Sequence, residues 1–167
     1  MRNDRLRTNI GRRTGPLKRK SSHESSKRHC SLVDGRLQGT VTDGINSKGW
    51  INGTYVDANS VLHGYLRAPD GNITTFDAPD AGRGPNQGTF AVKITNHENI
   101  VGWYQDASSV YHGFERLKNG TIVEFDAPGT GTGAGFGTEA FDFNSSNTIS
   151  GWNQDDSGVY HGFLRTP

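Results

Sequence analysis

The stretch Gly102-Trp103-Tyr104-Gln105-Asp106-Ala107-Ser108-Ser109-Val110-Tyr111-His112-Gly113-Phe114-Glu115-Arg116 decides the fold, because the same chain writes it again. Against residues 151–165 it keeps 11 of 15 positions, and the longer window 53–79 against 102–128 keeps 15 of 27. His63-Gly64, His112-Gly113 and His161-Gly162 stand 49 residues apart, as do Gly53, Gly102 and Gly151, with Asp57, Asp106 and Asp155 four residues after each glycine. A fixed, gapless period of this length is the signature of a tandem repeat. Each copy opens on Gly-Thr, at 39–40, 88–89 and 137–138, and the first two close on Phe-Asp-Ala-Pro at 76–79 and 125–128. This gives units 39–87 and 88–136 and a partial unit 137–167.

Within the middle unit, 89–94, 99–104, 110–114 and 121–125 are short runs of β-branched and aromatic residues with polar ends, and each predicts a strand. Asn119-Gly120, matched by Asp70-Gly71, predicts a two-residue type I′ hairpin. Asp106 to Ser109 predicts a tight turn whose carboxylate accepts backbone N–H groups two residues on. Pro79 and Pro128 end the fourth strand, the Gly-rich stretches 80–88 and 129–137 are connections, and no segment has helical periodicity with caps. The Gly129–Gly135 run lacks the lysine and following helix of a phosphate loop.

The fold class expected is therefore all-β, a repeat of four-stranded antiparallel units resembling propeller blades. From residue 31 onward the chain holds fewer than three whole units, so the ring of an ordinary propeller does not close within it. The alternatives are blades that self-associate to complete a ring, a piece of a longer propeller, or a closed three-fold, trefoil-like domain. In the last, Ser31–Gly35 would supply the strand that the third unit lacks.

Composition narrows the classes. The chain has 167 residues, 23 of them Gly, and nothing approaches the 18 or so consecutive apolar residues of a membrane span. A single cysteine, Cys30, excludes an internal disulfide framework and a Cys-based zinc site. The net charge of +1 conceals a basic head: residues 1–30 carry ten Lys or Arg against Asp4 and Glu24, with hardly an apolar side chain. Such a head predicts a disordered segment, and a nucleic-acid contact is indicated only there, through non-specific charge. It has no apolar core of a secretory signal, so by itself the chain reads as cytoplasmic or as one whose N-terminus is misassigned.

Asp106, Ser108 or Ser109, and His112 are the parts of a hydrolase triad, as are Asp57, Ser60, His63 and Asp155, Ser157, His161. Recurrence in every copy points instead to a part of how each unit folds. With a turn at 107–109, Asp106 pairs with Val110 and His112 lies across from Tyr104, a cross-strand packing partner. Asp57, His63, Gly64, Asp106, His112, Gly113, Asp155, His161 and Gly162 are accordingly read as structural residues of the repeat, and no catalytic residue is assigned. Calcium on the recurring aspartates lacks an Asp-rich loop with a closing Glu, and Asp77 and Asp126 read as caps of the turns before Pro79 and Pro128. Three histidines converging on a zinc ion is the other metal arrangement weighed; no metal or cofactor is expected.

Aromatics are the candidate ligand groups: Trp103, Trp152, Tyr55 and Tyr104, with Asn153 where the third tyrosine would stand. Strand alternation sends neighbours to opposite faces, so one ring of each Trp-Tyr pair is expected to face solvent, where it stacks on a sugar. Phe76, Phe114 and Phe125 are assigned to the core.

The pattern Ile45-Asn46 through Gly53 to His63-Gly64-Tyr65-Leu66, Ile94 through Gly102 to His112-Gly113-Phe114, and Phe143-Asn144 through Gly151 to His161-Gly162-Phe163-Leu164 resembles the HAF family of bacterial extracellular repeats. The resemblance covers most of 39–167, with Gly in place of the family's Ala. It implies a secreted or surface-located, non-enzymatic β-repeat protein acting as a structural or binding module, whose partners are a glycan, another surface protein or a further copy of itself. A carbohydrate-binding module on the aromatic positions is the first alternative, a hydrolase on one Asp–His pair the second.

Overall fold

The structure, a computed structural model, describes residues 31–33 and 36–167, with side chains from residue 39 onward. The expectations for the basic head, Cys30 and Asp34-Gly35 lie outside these residues. The described residues form twelve strands and no helix: β1 (Ser31–Val33), β2 (Arg36–Ile45), β3 (Ile51–Val56), β4 (Leu62–Arg67), β5 (Ile73–Phe76), β6 (Gly88–Ile94), β7 (Ile100–Gln105), β8 (Tyr111–Arg116), β9 (Ile122–Phe125), β10 (Gly137–Phe143), β11 (Ile149–Gln154) and β12 (Tyr160–Arg165). All four strands expected in the middle unit form, with ends moved by a residue or two.

Successive strands β2 to β5 pair antiparallel, and so do β6 to β9 and β10 to β12. The registers recur: Gly39 opposite Val56 is followed by Gly88 opposite Gln105 and Gly137 opposite Gln154. One extra residue bulges from β2, β6 and β10 at the same place, beside Gly44, Lys93 and Asp142. Between these groups the sheet continues through single parallel pairs, Leu62 with Gly88 and Tyr111 with Gly137, so it is mixed. The strand order runs from β1 to β12 without returning on itself. A closed three-fold domain is thereby corrected: Ser31–Val33 pairs with β2, at the end of the sheet away from β12, and does not complete the third unit.

The hairpins share one turn. Asp106 N–H donates to Val110 O and Ser109 N–H to Asp106 O, while Asp106 Oδ1 accepts from Ser108 and Val110 N–H at 2.8 Å each. Asp57 and Asp155 do the same, and Asn46, Thr95 and Asn144 use an amide or hydroxyl oxygen for the same two bonds. Only the third loop residue is left-handed, as at Ser60, Ser109 and Gly158. The β4–β5 and β8–β9 hairpins are of this kind too, with Gly71 and Gly120 left-handed at φ 97° and 93°. This corrects the type I′ expectation: a three-residue loop needs one residue at positive φ, which the glycine supplies alone.

The core lies between the faces of successive units. Phe114, fully buried, meets Phe76 edge-on at 6.2 Å, and the Arg116 guanidinium sits over the Phe76 ring at 5.0 Å. Phe163, Phe125 and Arg165 repeat the arrangement at 6.0 and 4.7 Å. Leu66, Ile94, Ile100 and Tyr104 complete the first cluster, and Val101, Ala140, Phe143 and Ile149 form the second. Burying a ring such as Phe114 stabilises by about 1.5–3 kcal/mol.

Candidate functional site

Each repeated histidine sits on the third strand of its unit, one residue in from the turn. His63 lies opposite Tyr55 and stacks on it at 4.8 Å; His112 lies opposite Tyr104 and stacks at 5.0 Å. His63 Nδ1 is 2.9 Å from Asp77 Oδ1, and His112 Nδ1 is 3.0 Å from Asp126 Oδ1. A carboxylate only accepts, so Nδ1 carries the hydrogen in both. The far nitrogen, Nε2, stands 3.7 Å from the turn carboxylate, Asp57 or Asp106. In the third unit His161 turns its Nε2 to Asp155 at 2.8 Å. The aspartates of Phe-Asp-Ala-Pro thus tie the fourth strand's end to the histidine, a role that turn capping does not describe. The constant spacing of 14 residues from His63 to Asp77 and from His112 to Asp126 is the signal that could have found them.

Hydrogen bonding holds the carboxyls of Asp57 and Asp155 below the ordinary range. For Asp57 the Val61 N–H contributes most, ahead of Asn59 and His63; for Asp155 the His161 bond comes first. Tyr104 is raised by burial and by the surrounding carboxylates, Glu124 foremost.

The serines do not join a triad. Ser109 is left-handed in its turn, and its Oγ receives the Gln87 side-chain N–H at 3.2 Å. Ser108 presents its backbone N–H to Asp106. Beside His63 lies a polar cleft of about 370 Å³ lined by Asp57, Asn59, His63, Asp77, Pro79 and Arg83. Among the described residues no group of three or more His, Cys, Asp or Glu side chains is arranged to hold a metal ion.

The aromatic set divides between the two faces. Tyr104 and Asn153 are interior, and Tyr55 is half-buried against His63. Trp103 lies flat on Phe90 at 4.8 Å, with Tyr111 edge-on at 5.3 Å, half-buried on the other face. The expectation that one ring of each pair faces solvent is corrected for Trp103 and Tyr104, because β7 is packed on both faces: toward the first unit by Tyr104, toward the third by Val101. Trp152 alone of the five is exposed, at 42%, beside Tyr160 at 60% and Leu164 at 75%. These three share a face of β11–β12, since Trp152 pairs with Gly162, Gln154 with Tyr160 and Ser150 with Leu164. Glu139, opposite Trp152 on β10, has its carboxyl pushed up by burial, with the indole N–H opposing. Tyr160 and Leu164 were not singled out from the sequence; Leu164 standing where the second unit has Glu115 is the signal that could have shown them.

No known family, no curated protein and no solved structure matches the chain.

Proposed function

We propose that the chain is a non-enzymatic β-repeat module that works by binding, its units built as propeller-like blades stacked face to face, at or beyond the cell surface. The observation that carries the reading is the apolar face of β11–β12, where Trp152, Tyr160 and Leu164 stand exposed together. A contiguous exposed apolar patch marks an interaction site. The histidine clusters support it from the other side, because Nδ1 of His63 and His112 is committed to Asp77 and Asp126, and the Asp57 and Asp106 carboxylates near Nε2 are engaged by the backbone of their turns. The blade reading is supported by the four-strand antiparallel succession and by the register that recurs in each unit. The surface location rests on the resemblance to the HAF repeats.

A glycan is the second reading, favoured by one observation: Trp152 and Tyr160 lie 5.1 Å apart at the surface, a platform for a sugar face. Retention of the wild type on immobilised bacterial surface glycans, and on the immobilised chain itself, tests both. The binding reading predicts retention on at least one, lost in Trp152→Ala and kept in His112→Ala. Retention on neither, or loss in His112→Ala with Trp152→Ala unaffected, would contradict it. A hydrolase would show one His→Ala among three removing all turnover.

A further inference from the structure

Resting on that reading, we propose that the occupant of the β11–β12 face is a second copy of this chain, docked head to tail through the face that carries Ile45, Ile51 and Tyr65. The contact between the first and second units is its template. There Leu66 packs into the cluster of Ile94, Ile100 and Phe114. At the turns Asn46 Nδ2 donates to Thr95 O at 2.9 Å, and Ser47 N–H and Oγ meet Asn96 Oδ1 at 3.0 and 2.8 Å.

Three groups of that contact recur in the third unit, while Asn52 and Thr54, which bond the Ala91 backbone in the template, are replaced by Ser150 and Trp152. Leu164, Asn144 and Ser145 stand two periods after Leu66, Asn46 and Ser47, whereas the second unit has Glu115, Thr95 and Asn96 there. The receiving residues are present at the opposite end of the molecule. Ile45, Ile51 and Tyr65 stand one period before Ile94, Ile100 and Phe114. Tyr65 lies over Gly53 as Phe114 lies over Gly102, and its hydroxyl is fixed by Thr42 Oγ1 at 2.8 Å.

The donor surface is open at Leu164 and the receiving surface at Ile45, with Ile51 half-buried and Tyr65 buried behind it. Ile45 is 68% exposed where its counterpart Ile94 is 5%, and Leu164 is 75% exposed where its counterpart Leu66 is 7%. A copy placed against the third unit as the second unit is placed against the first brings Leu164 onto Ile45 and Ile51 and sets Asn144 against the turn at Asn46. The two patches differ, so the contact is heterologous, and it propagates into a ring or an open row of chains.

The test uses the full chain and two variants at exposed positions, where substitution leaves the fold within about 0.5 kcal/mol. Leu164→Asp removes the donor patch and Ile45→Asp the receiving patch. Light scattering after size exclusion is expected to show a wild-type mass that rises with concentration and single-chain mass for each variant alone. An equimolar mixture of the two is expected to give a complex of two chains, since each retains the patch the other lacks. Wild type at single-chain mass at every concentration would overturn the inference, and glycan retention that depends on Trp152 would then leave the binding reading standing. Association surviving in Ile45→Asp would mean that like faces pair, which also overturns it. Association surviving in Leu164→Asp would remove the β11–β12 face from both proposals.

Discussion

The three His-Gly glycines are equivalent in sequence but not in surroundings, and replacing each by alanine separates the consequences. A methyl on Gly113 would stand 2.7 Å from two carbons of the Phe125 ring, and one on Gly64 would stand 2.6 Å from two carbons of Phe76. Real contacts between such atoms lie near 3.5–4.0 Å, so the ring would have to withdraw by about an ångström. Phe125 has no room to do so, being held edge-on against Phe163 at 6.0 Å and capped by Arg165 at 4.7 Å. Gly162 meets only Gly151 O, at 4.0 Å. None of the three glycines is at positive φ, so backbone strain plays no part. Overpacking of this kind costs about 1–3 kcal/mol, whereas alanine in place of an open strand glycine is neutral or stabilising by up to about 1 kcal/mol. Urea unfolding followed by circular dichroism, at a concentration where the chain is monomeric, is expected to place Gly113→Ala and Gly64→Ala below wild type and Gly162→Ala at or above it. Equal losses at 113 and 162, or none at 113, would refute the argument that the rings of Phe76 and Phe125 close over these glycines.

Four further substitutions probe the turns and clusters. Ser60→Gly relieves a left-handed serine at φ 65° and is expected to raise stability by about 0.5–1 kcal/mol, read as a higher Tm; the third unit already has Gly158 there. His112→Ala removes the Nδ1 bond to Asp126 and the stack on Tyr104 and is expected to cost about 1–2 kcal/mol. His161→Ala, with one carboxylate partner and a side chain 52% exposed against 22% for His112, is expected to cost less than half of that in the same urea titration. Asp57→Ala removes an acceptor of two backbone N–H groups and is expected to cost about 1 kcal/mol at pH 7. Its carboxyl is depressed in the fold, so the contribution is present above the unfolded carboxylate range and fades as the pH falls through the folded value. The gap between variant and wild type therefore narrows on acidification, and a gap that widens would contradict the assignment.

Much of the strand plan was legible because alternation and turn chemistry are local. The runs around Ile94, Trp103, Phe114 and Phe125 read as strands, and Asp106 read as a turn acceptor, from neighbours within a few residues. The type I′ expectation at Asn119-Gly120 failed because the dipeptide signal does not distinguish a two-residue loop from a three-residue loop ending on glycine. The exposure of Trp103 and Tyr104 was misjudged for a different reason. Alternation says which side chains share a face but not whether that face is covered, and coverage depends on Val101 and Ala140 meeting across units. The link from His112 to Asp126 was missed because it closes the open end of the β8–β9 hairpin across 14 residues, beyond the reach of reading from near neighbours. The division between Trp103, half-buried, and Trp152, open, is likewise set by position in the stack rather than by the residue or its neighbours.

Hydrogen exchange followed by mass spectrometry, on the full chain at low and at high concentration, tests the central claim most directly. The account predicts that protection rises with concentration in the segments carrying Trp152, Tyr160 and Leu164 and in those carrying Ile45 and Ile51. It predicts no change in β7 and β8, whose faces are already covered. Protection that is independent of concentration, or a gain confined to the cleft beside His63, would contradict it.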